Sequence, residues 1–406
     1  MISRSSTPAD RWLGNFYHQQ RKRFGARDRR FISETLYSAF RHKTFLEAWA
    51  REWKLENPDL FVLLAAAAEG LVTREEFQTA AAPSVKIKAE AYDLLRKRTL
   101  PPAASGLSPE EKMALEFSFP AELVKLWLAR LGEKECRDFL SACQERPPLA
   151  VRANSLKVTP EKLIENFKSL GFHVSKAPRA SSGILFKQRV NAFDTKEFRE
   201  GWFEVQDEGS QLVCEKINPQ PGETVWDVCA GGGGKTLSLA ALMQGKGRVI
   251  ATDIRAKKLD ELKKRARRAG ATNIFAADMN RLDDLKEMRQ KVDKIVVDAP
   301  CSGTGTLRRN PDAKWKLDPS RFSKFHEEQV SILEKAIPYL KPGGRIYYIT
   351  CSVEPAENEE VFREILQKHP SLVPLPLGEA EDGFFRLFPH RDGTDGFFLA
   401  AAENKR

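Results

Sequence analysis

The sequence predicts an α/β protein: a mostly parallel sheet with helices on both faces, preceded by an all-helical region and a small mixed α/β segment. Two observations carry this. From about residue 220 short apolar runs (TVWDV, RVIATD, NIFAAD, KIVVDAP and RIYYITC) alternate with helical stretches, the pattern of parallel strands joined by crossover helices. The opening hundred residues instead place Phe31, Leu36, Tyr37, Phe40, Phe45 and Leu46 at mostly helical intervals. A chain of 406 residues exceeds the roughly 100–200 of one domain. The expected division is a helical domain over 1–143, a connecting segment over 144–205 and the sheet domain over 206–406.

The elements follow in order. The breaks TLPPAASGLSPEE and QERPPLA are Pro- and Gly-punctuated loops. Ser108 reads as an N-cap, Pro109 as the first helical residue and Glu111 as the third, a capping-box start. A helix through Leu123, Leu126, Trp127 and Leu131 stops near Gly132. VRANSL is a strand, PEKLIENFKSLG a helix ended by Gly171, and FHVSKA another strand. GFFLAAA near the end is expected as an added edge strand.

Composition narrows the function class. A hydrophobic fraction of 41% builds ordinary cores, and a formal charge of +10 suits a polyanionic partner. Basic residues crowd the start (Arg21, Lys22, Arg23, Arg27, Arg29, Arg30, Arg41, Lys43), a candidate phosphate-contacting cluster. The six cysteines form no CxxC pair, which excludes a zinc or thioredoxin-like motif. No ligand cluster suggests a metal. Free thiols, a polar start and a longest apolar run of Leu60–Ala68, far short of the ~20 residues that span a bilayer, point to a cytoplasmic protein without a membrane segment. Nothing demands more than a monomer.

Ligands of such a sheet bind beyond the carboxyl ends of its strands. The run DVCAGGGGKT places Cys229, Ala230, Gly231, Gly232, Gly233, Gly234 and Lys235 after one strand and into a helix. Glycines let a ligand approach the backbone, and the helix start offers free N–H groups. A phosphate-binding P-loop needs a glycine at position 229, where this chain has cysteine. Asp253, 22 residues after Gly231, suits ribose hydroxyls, and Asp278 is placed to reach an adenine. With Asp298 these strand-end aspartates describe an adenosine-shaped site.

Cys301 and Cys351 follow what should be neighbouring strands, each with a serine after it. Two thiols at one cleft edge suit pyrimidine chemistry. Carbon 5 of cytosine is a poor nucleophile until a thiolate adds at carbon 6, and cysteine is nucleophilic even when only a few per cent is ionised. The adduct must later be undone, so a second thiol is a plausible assistant, while Asp298 would hold the ring-nitrogen edge by proton sharing. Arg308, Arg309, Lys314 and Trp315, shortly after Cys301, are candidates for RNA phosphates and base stacking.

DAPCSGTG, RRNPDAKW and TCSVEPAENEE, with the glycine-rich loop, resemble the RNA cytosine-5 methyltransferase family over nearly the whole chain. The resemblance implies a Rossmann-like class I methyltransferase domain behind a NusB-like helical domain (from DRRFISETLYSAFRH) and an RRM-like linker. It implies S-adenosylmethionine as cofactor, bound by Cys229 to Lys235 with Asp253, Asp278 and Asp298. It implies Cys351 as nucleophile, Cys301 in product release, Asp298 against base and cofactor, and 16S rRNA as the expected substrate. Transfer RNA, or a non-catalytic RNA-binding assembly factor, are the alternatives. Gly231 and Gly232 stand where many members have Ala-Pro.

Overall fold

The computed structural model describes residues 7–20, 23–82, 87, 90–188, 190–378 and 380–405, with the backbone alone at 281–284. The chain forms two units, Met1–Arg146 with Leu307–Pro319, and Pro147–Thr306 with Ser320–Arg406.

The first unit is helical. Ala26–Arg41, Lys43–Glu52, Pro58–Ala68 and Arg74–Ala81 are helices whose inner faces meet around Phe45, Leu46, Trp49, Leu64, Phe77 and Leu95. Burial of each such large side chain contributes ~1.5–3 kcal/mol. Phe31 faces outward at 42% exposure, although its spacing placed it on the apolar face. Ser108 caps Pro109–Glu116 through the Glu111 N–H in the expected capping box. Gly132, at φ 76°, breaks the helical run Ala121–Gln144 where the sequence placed a stop, and a second helical stretch follows it.

Segment 307–319 belongs to this helical unit, whereas the sequence division had counted it with the sheet domain. The reason is local. A helix leaves its last carbonyls without intrahelical partners. Trp315 Nε1 donates to Phe40 O at 2.7 Å and Lys314 Nζ to Arg41 O at 2.8 Å, at the end of Ala26–Arg41.

In the second unit β1 (Leu149–Ala153), β2 (Val174–Lys176), β3 (Gly183–Phe186) and β4 (Phe203–Val205) form an antiparallel sheet in the order β2-β3-β1-β4. Helix Pro160–Ser169 packs on it through Leu163 and Phe167. The larger sheet comprises β5 (Thr224–Asp227), β6 (Arg248–Asp253), β7 (Ile274–Asp278), β8 (Val292–Asp298), β9 (Leu340–Thr350), β10 (Leu372–Leu375), β11 (Phe385–Leu387) and β12 (Phe397–Asn404). Its order is β10-β12-β9-β8-β5-β6-β7, with β11 also on β12. The run β9-β8-β5-β6-β7 is parallel, as the alternation predicts. The GFFLAAA strand, β12, is not the edge: it lies antiparallel between β9 and β10. Its residues Phe397 to Ala402 are all buried, which suits an inner strand.

Candidate active site

β5 delivers the chain into the glycine-rich turn. Asp227 is fully buried at its end, accepting from Thr236 Oγ1 at 2.6 Å through Oδ2, while Oδ1 has no hydrogen-bond partner. Burial pushes this carboxyl up to about 7. Gly233 caps the helix Gly234–Leu242 in the left-handed region at φ 86°. A Cβ there would lie 2.7 Å from Leu262 Cγ, so only glycine fits. Arg265, from the helix Ala256–Ala269, donates to Gly232 O at 2.6 Å and is itself paired with Glu204 at 2.9 Å. Asp253 Oδ2 accepts from Gly231 N at 2.9 Å, and its Oδ1 accepts from Arg255 N and Nε.

Beside this turn lies a pocket of about 780 Å³. Of the sequence-predicted cofactor residues, Cys229, Ala230, Gly231, Gly232, Gly234, Lys235, Asp253 and Asp298 line it. Gly233 and Asp278 are not among the lining residues. Gly233 instead makes the turn, and Asp278 Oδ1 caps the turn that follows β7, accepting from Asn280 N and Nδ2 at 2.9 Å each. Its neighbours Met279 and Asn280 line the pocket in its stead. Gln206 and Ser210, in the FEVQDEGSQL stretch at the entry to the sheet domain, and Glu328 also contribute, none of them singled out as a site residue by the sequence. Size and lining fit an adenosine-bearing cofactor. The buried Asp253 carboxylate and the helix start at Gly234 are polar groups of the kind that would fix it.

Lys235 Nζ lies 2.7 Å from Asp298 Oδ2 and 5.1 Å from the centre of the Phe397 ring. Burial alone would lower its pKa, but Asp298 outweighs burial and holds the ammonium firmly protonated. Cys229, on the pocket wall, is the opposite case: burial, then Asp227, pushes its thiol well up.

β8 and β9 are parallel neighbours, with Asp298 opposite Ile349. The two cysteines therefore emerge side by side, and Cys301 Sγ lies 3.3 Å from Cys351 Sγ. The Cys301 thiol is pushed well above its ordinary range, first by its hydrogen bond with Cys351 and then by burial. Gly305 N donates to Cys351 O at 2.9 Å, tying the two loops together by backbone.

The candidate RNA contacts fare differently. Lys314 is 1% exposed inside the helical unit, its Nζ 4.2 Å from the Phe119 ring centre, and Arg308 is buried. Neither presents its charge to a polyanion. Trp315 spends its N–H on Phe40 O and has Lys43 Nζ 5.0 Å from its ring centre. Arg309 is half-buried. In the basic N-terminal cluster Arg23, Arg27 and Arg30 are exposed, but Arg41 is buried against Glu69 at 3.1 Å. Arg21 and Lys22 lie outside the described residues.

A parallel sheet with a glycine turn, a strand-end acid at Asp253 and an adenosine-sized pocket defines a Rossmann-like protein built for an adenosine-bearing cofactor. The family described as 16S rRNA methyltransferase RsmB/F matches residues 214–403, and the RsmF/B-like ferredoxin-like domain matches 119–192. The probable ribosomal RNA small subunit methyltransferase B of Bacillus subtilis is 35% identical, over 73% of this chain and 69% of its own. That of Synechocystis is 33% identical, over 72% and 68%. Among solved structures, PH0851 superposes with a TM-score of 0.79 at 26% identity, over 98% of this chain and 95% of its own. A methyltransferase homolog protein from Pyrococcus horikoshii gives 0.64 at 29% identity, over 73% and 100%. The chain belongs to the RsmB/F family of 16S rRNA methyltransferases. It is an S-adenosylmethionine-dependent rRNA methyltransferase. Among the described residues no helix is long and apolar enough to cross a membrane.

Proposed function

We propose that the chain methylates carbon 5 of a cytosine in 16S rRNA through a covalent adduct between Cys351 Sγ and carbon 6. The observation that carries this reading is the pair of sulfurs 3.3 Å apart at the ends of adjacent parallel strands, one turn of chain from Asp298 on the cofactor pocket. S-adenosylmethionine supplies an electrophilic methyl group.

Addition of the Cys351 thiolate to carbon 6 places an electron pair at carbon 5, which takes the methyl. Asp298, kept beside the protonated Lys235, holds the ring-nitrogen edge. The proton on carbon 5 must then leave so that the C6–S bond can break. Cys301 is suited to that release step: its sulfur sits in contact with the attacking one, and as a thiolate, its own proton given up to solvent, it takes the proton from carbon 5 while the C6–S bond electrons return to Cys351. A cytosine buried in a duplex has to be extruded to reach two thiols in a cleft, so a loop or bulge is the favoured target.

The test is Cys301→Ala incubated with S-adenosylmethionine and small-subunit rRNA, then a denaturing gel. A shifted band that vanishes in the Cys301→Ala/Cys351→Ala double variant is the expected result. Undiminished methyl transfer by Cys351→Ala would overturn the adduct. RNA binding without transfer by the wild type would favour a non-catalytic assembly factor instead.

A further inference from the structure

Beneath the two cysteines lies a carboxylate that the chemistry above does not use. Glu357 is fully buried, in the short turn Pro355–Glu357 that follows the Cys351 strand. Its partners are the residues immediately after each cysteine. Oε2 accepts from Ser302 N at 2.7 Å; Oε1 accepts from Ser302 Oγ and, at 2.7 Å, from Ser352 Oγ. Gln329 Nε2 reaches Oε2 at 3.3 Å and Pro300 O at 2.9 Å, fastening the carboxylate to the residue before Cys301 as well. The two serine hydroxyls lie 3.2 Å apart.

We infer that Glu357 is a positioning residue that holds the Cys301 and Cys351 sulfurs at contact distance by bridging Ser302 and Ser352. The inference rests on the reading of these thiols as the reaction centre. Acceptors and donors match: a carboxylate offers up to four acceptor sites, and Ser302, Ser352 and Gln329 each donate to it. Burial raises the Glu357 carboxyl, and the hydrogen bonds from Ser302 and Ser352 pull against it. No lining residue of the cofactor pocket is Glu357, so it acts through the cysteines and not through the cofactor. A shift of about 1 Å between reacting groups costs on the order of 100-fold in rate.

The experiment compares Glu357→Ala and Glu357→Gln with the wild type in two independent readouts. The first is methyl transfer to small-subunit rRNA, separated into kcat and KM for S-adenosylmethionine. The second needs no RNA: hydrogen peroxide takes two electrons and two protons from a dithiol in contact, and peptide mass spectrometry follows the rate at which Cys301 and Cys351 become linked. Glu357→Ala is expected to lower kcat about 100-fold, leave KM for the cofactor unchanged and slow the linking by about tenfold or more. Glu357→Gln keeps an oxygen for Ser302 N and an amide that both hydroxyls can accept from, and so restores most of both readouts. If Glu357→Ala is too unstable to purify, Ser302→Ala/Ser352→Ala removes both hydroxyl links and tests the same effect. Linking at the wild-type rate in Glu357→Ala would overturn the inference, as would a fall in kcat matched by an equal loss of cofactor binding. Slowed linking in a protein whose wild type transfers no methyl would uphold the positioning while refuting the catalytic reading.

Discussion

Asp227 carries a charge that the fold resists, and Asp227→Asn measures how strongly. The carboxyl is pushed from an ordinary 3.8 up to about 7, because it is fully buried and one of its oxygens has no partner. A folded-state pKa above the unfolded one favours the protonated form in the fold. The associated stability is fully present below 3.8 and is lost as pH rises through about 7. At ~1.4 kcal/mol per pH unit, the loss in the wild type is about 2 kcal/mol at pH 5 and about 4 kcal/mol at pH 8. Asparagine keeps an acceptor for Thr236 Oγ1 and never ionises. The stability gap between variant and wild type therefore widens by about 3 kcal/mol between those two conditions. For a unit of this size that is a Tm divergence of roughly 5–10 °C. Scanning calorimetry of both proteins without cofactor at each half unit of pH reads it directly. Parallel Tm curves across that range would refute the argument, whatever their constant offset.

Gly233→Ala forces a side chain into the left-handed region and against Leu262, at ~1–2 kcal/mol for the backbone and ~1–3 kcal/mol for overpacking. It is expected to weaken S-adenosylmethionine binding at least tenfold by calorimetric titration, since ~1.4 kcal/mol is a factor of ten. Lys314→Met tests the reassignment of a residue that the sequence offered to RNA. Rim charges set salt dependence and buried ones do not, so rRNA affinity and its salt slope should stay at wild-type values. A slope reduced by about one would return Lys314 to the RNA surface.

The parallel strands were legible because β-branched, apolar runs of strand length recur between helical stretches, and strand ends then located the glycine turn, Asp253, Asp298 and both cysteines. What escaped shares one physical cause, which is partner identity. Lysine is almost never fully buried unless paired, so Lys314 read as surface until the end of helix Ala26–Arg41 supplied its acceptor. Arg265 looked like one of many solvated helix cations, yet it holds the Gly232 carbonyl. Glu357 sat in an acidic run, with nothing local to say that its oxygens meet Ser302 from another strand end. β12 was read as an edge because antiparallel pairing with β10 and β11 depends on contacts that spacing does not encode. Asp278 was placed at the correct strand end, but Asn280 lies close enough along the chain to occupy its carboxylate.

The excursion of residues 307–319 into the helical unit has a consequence for how this polypeptide comes apart. The backbone passes between the two units three times, at Arg146–Pro147, Thr306–Leu307 and Pro319–Ser320. A single protease nick at the first passage cuts the chain in two, but fragment 1–146 stays packed with residues 307–319 of the other fragment, so the nicked protein should still migrate as one particle on sizing and split only on a denaturing gel. Nor is the helical unit a cassette that ends at residue 146. Any graft or deletion that moves it must carry a thirteen-residue loop whose two ends are rooted near Cys301 and at the start of the helix Phe322–Ala336 that walls the cofactor pocket.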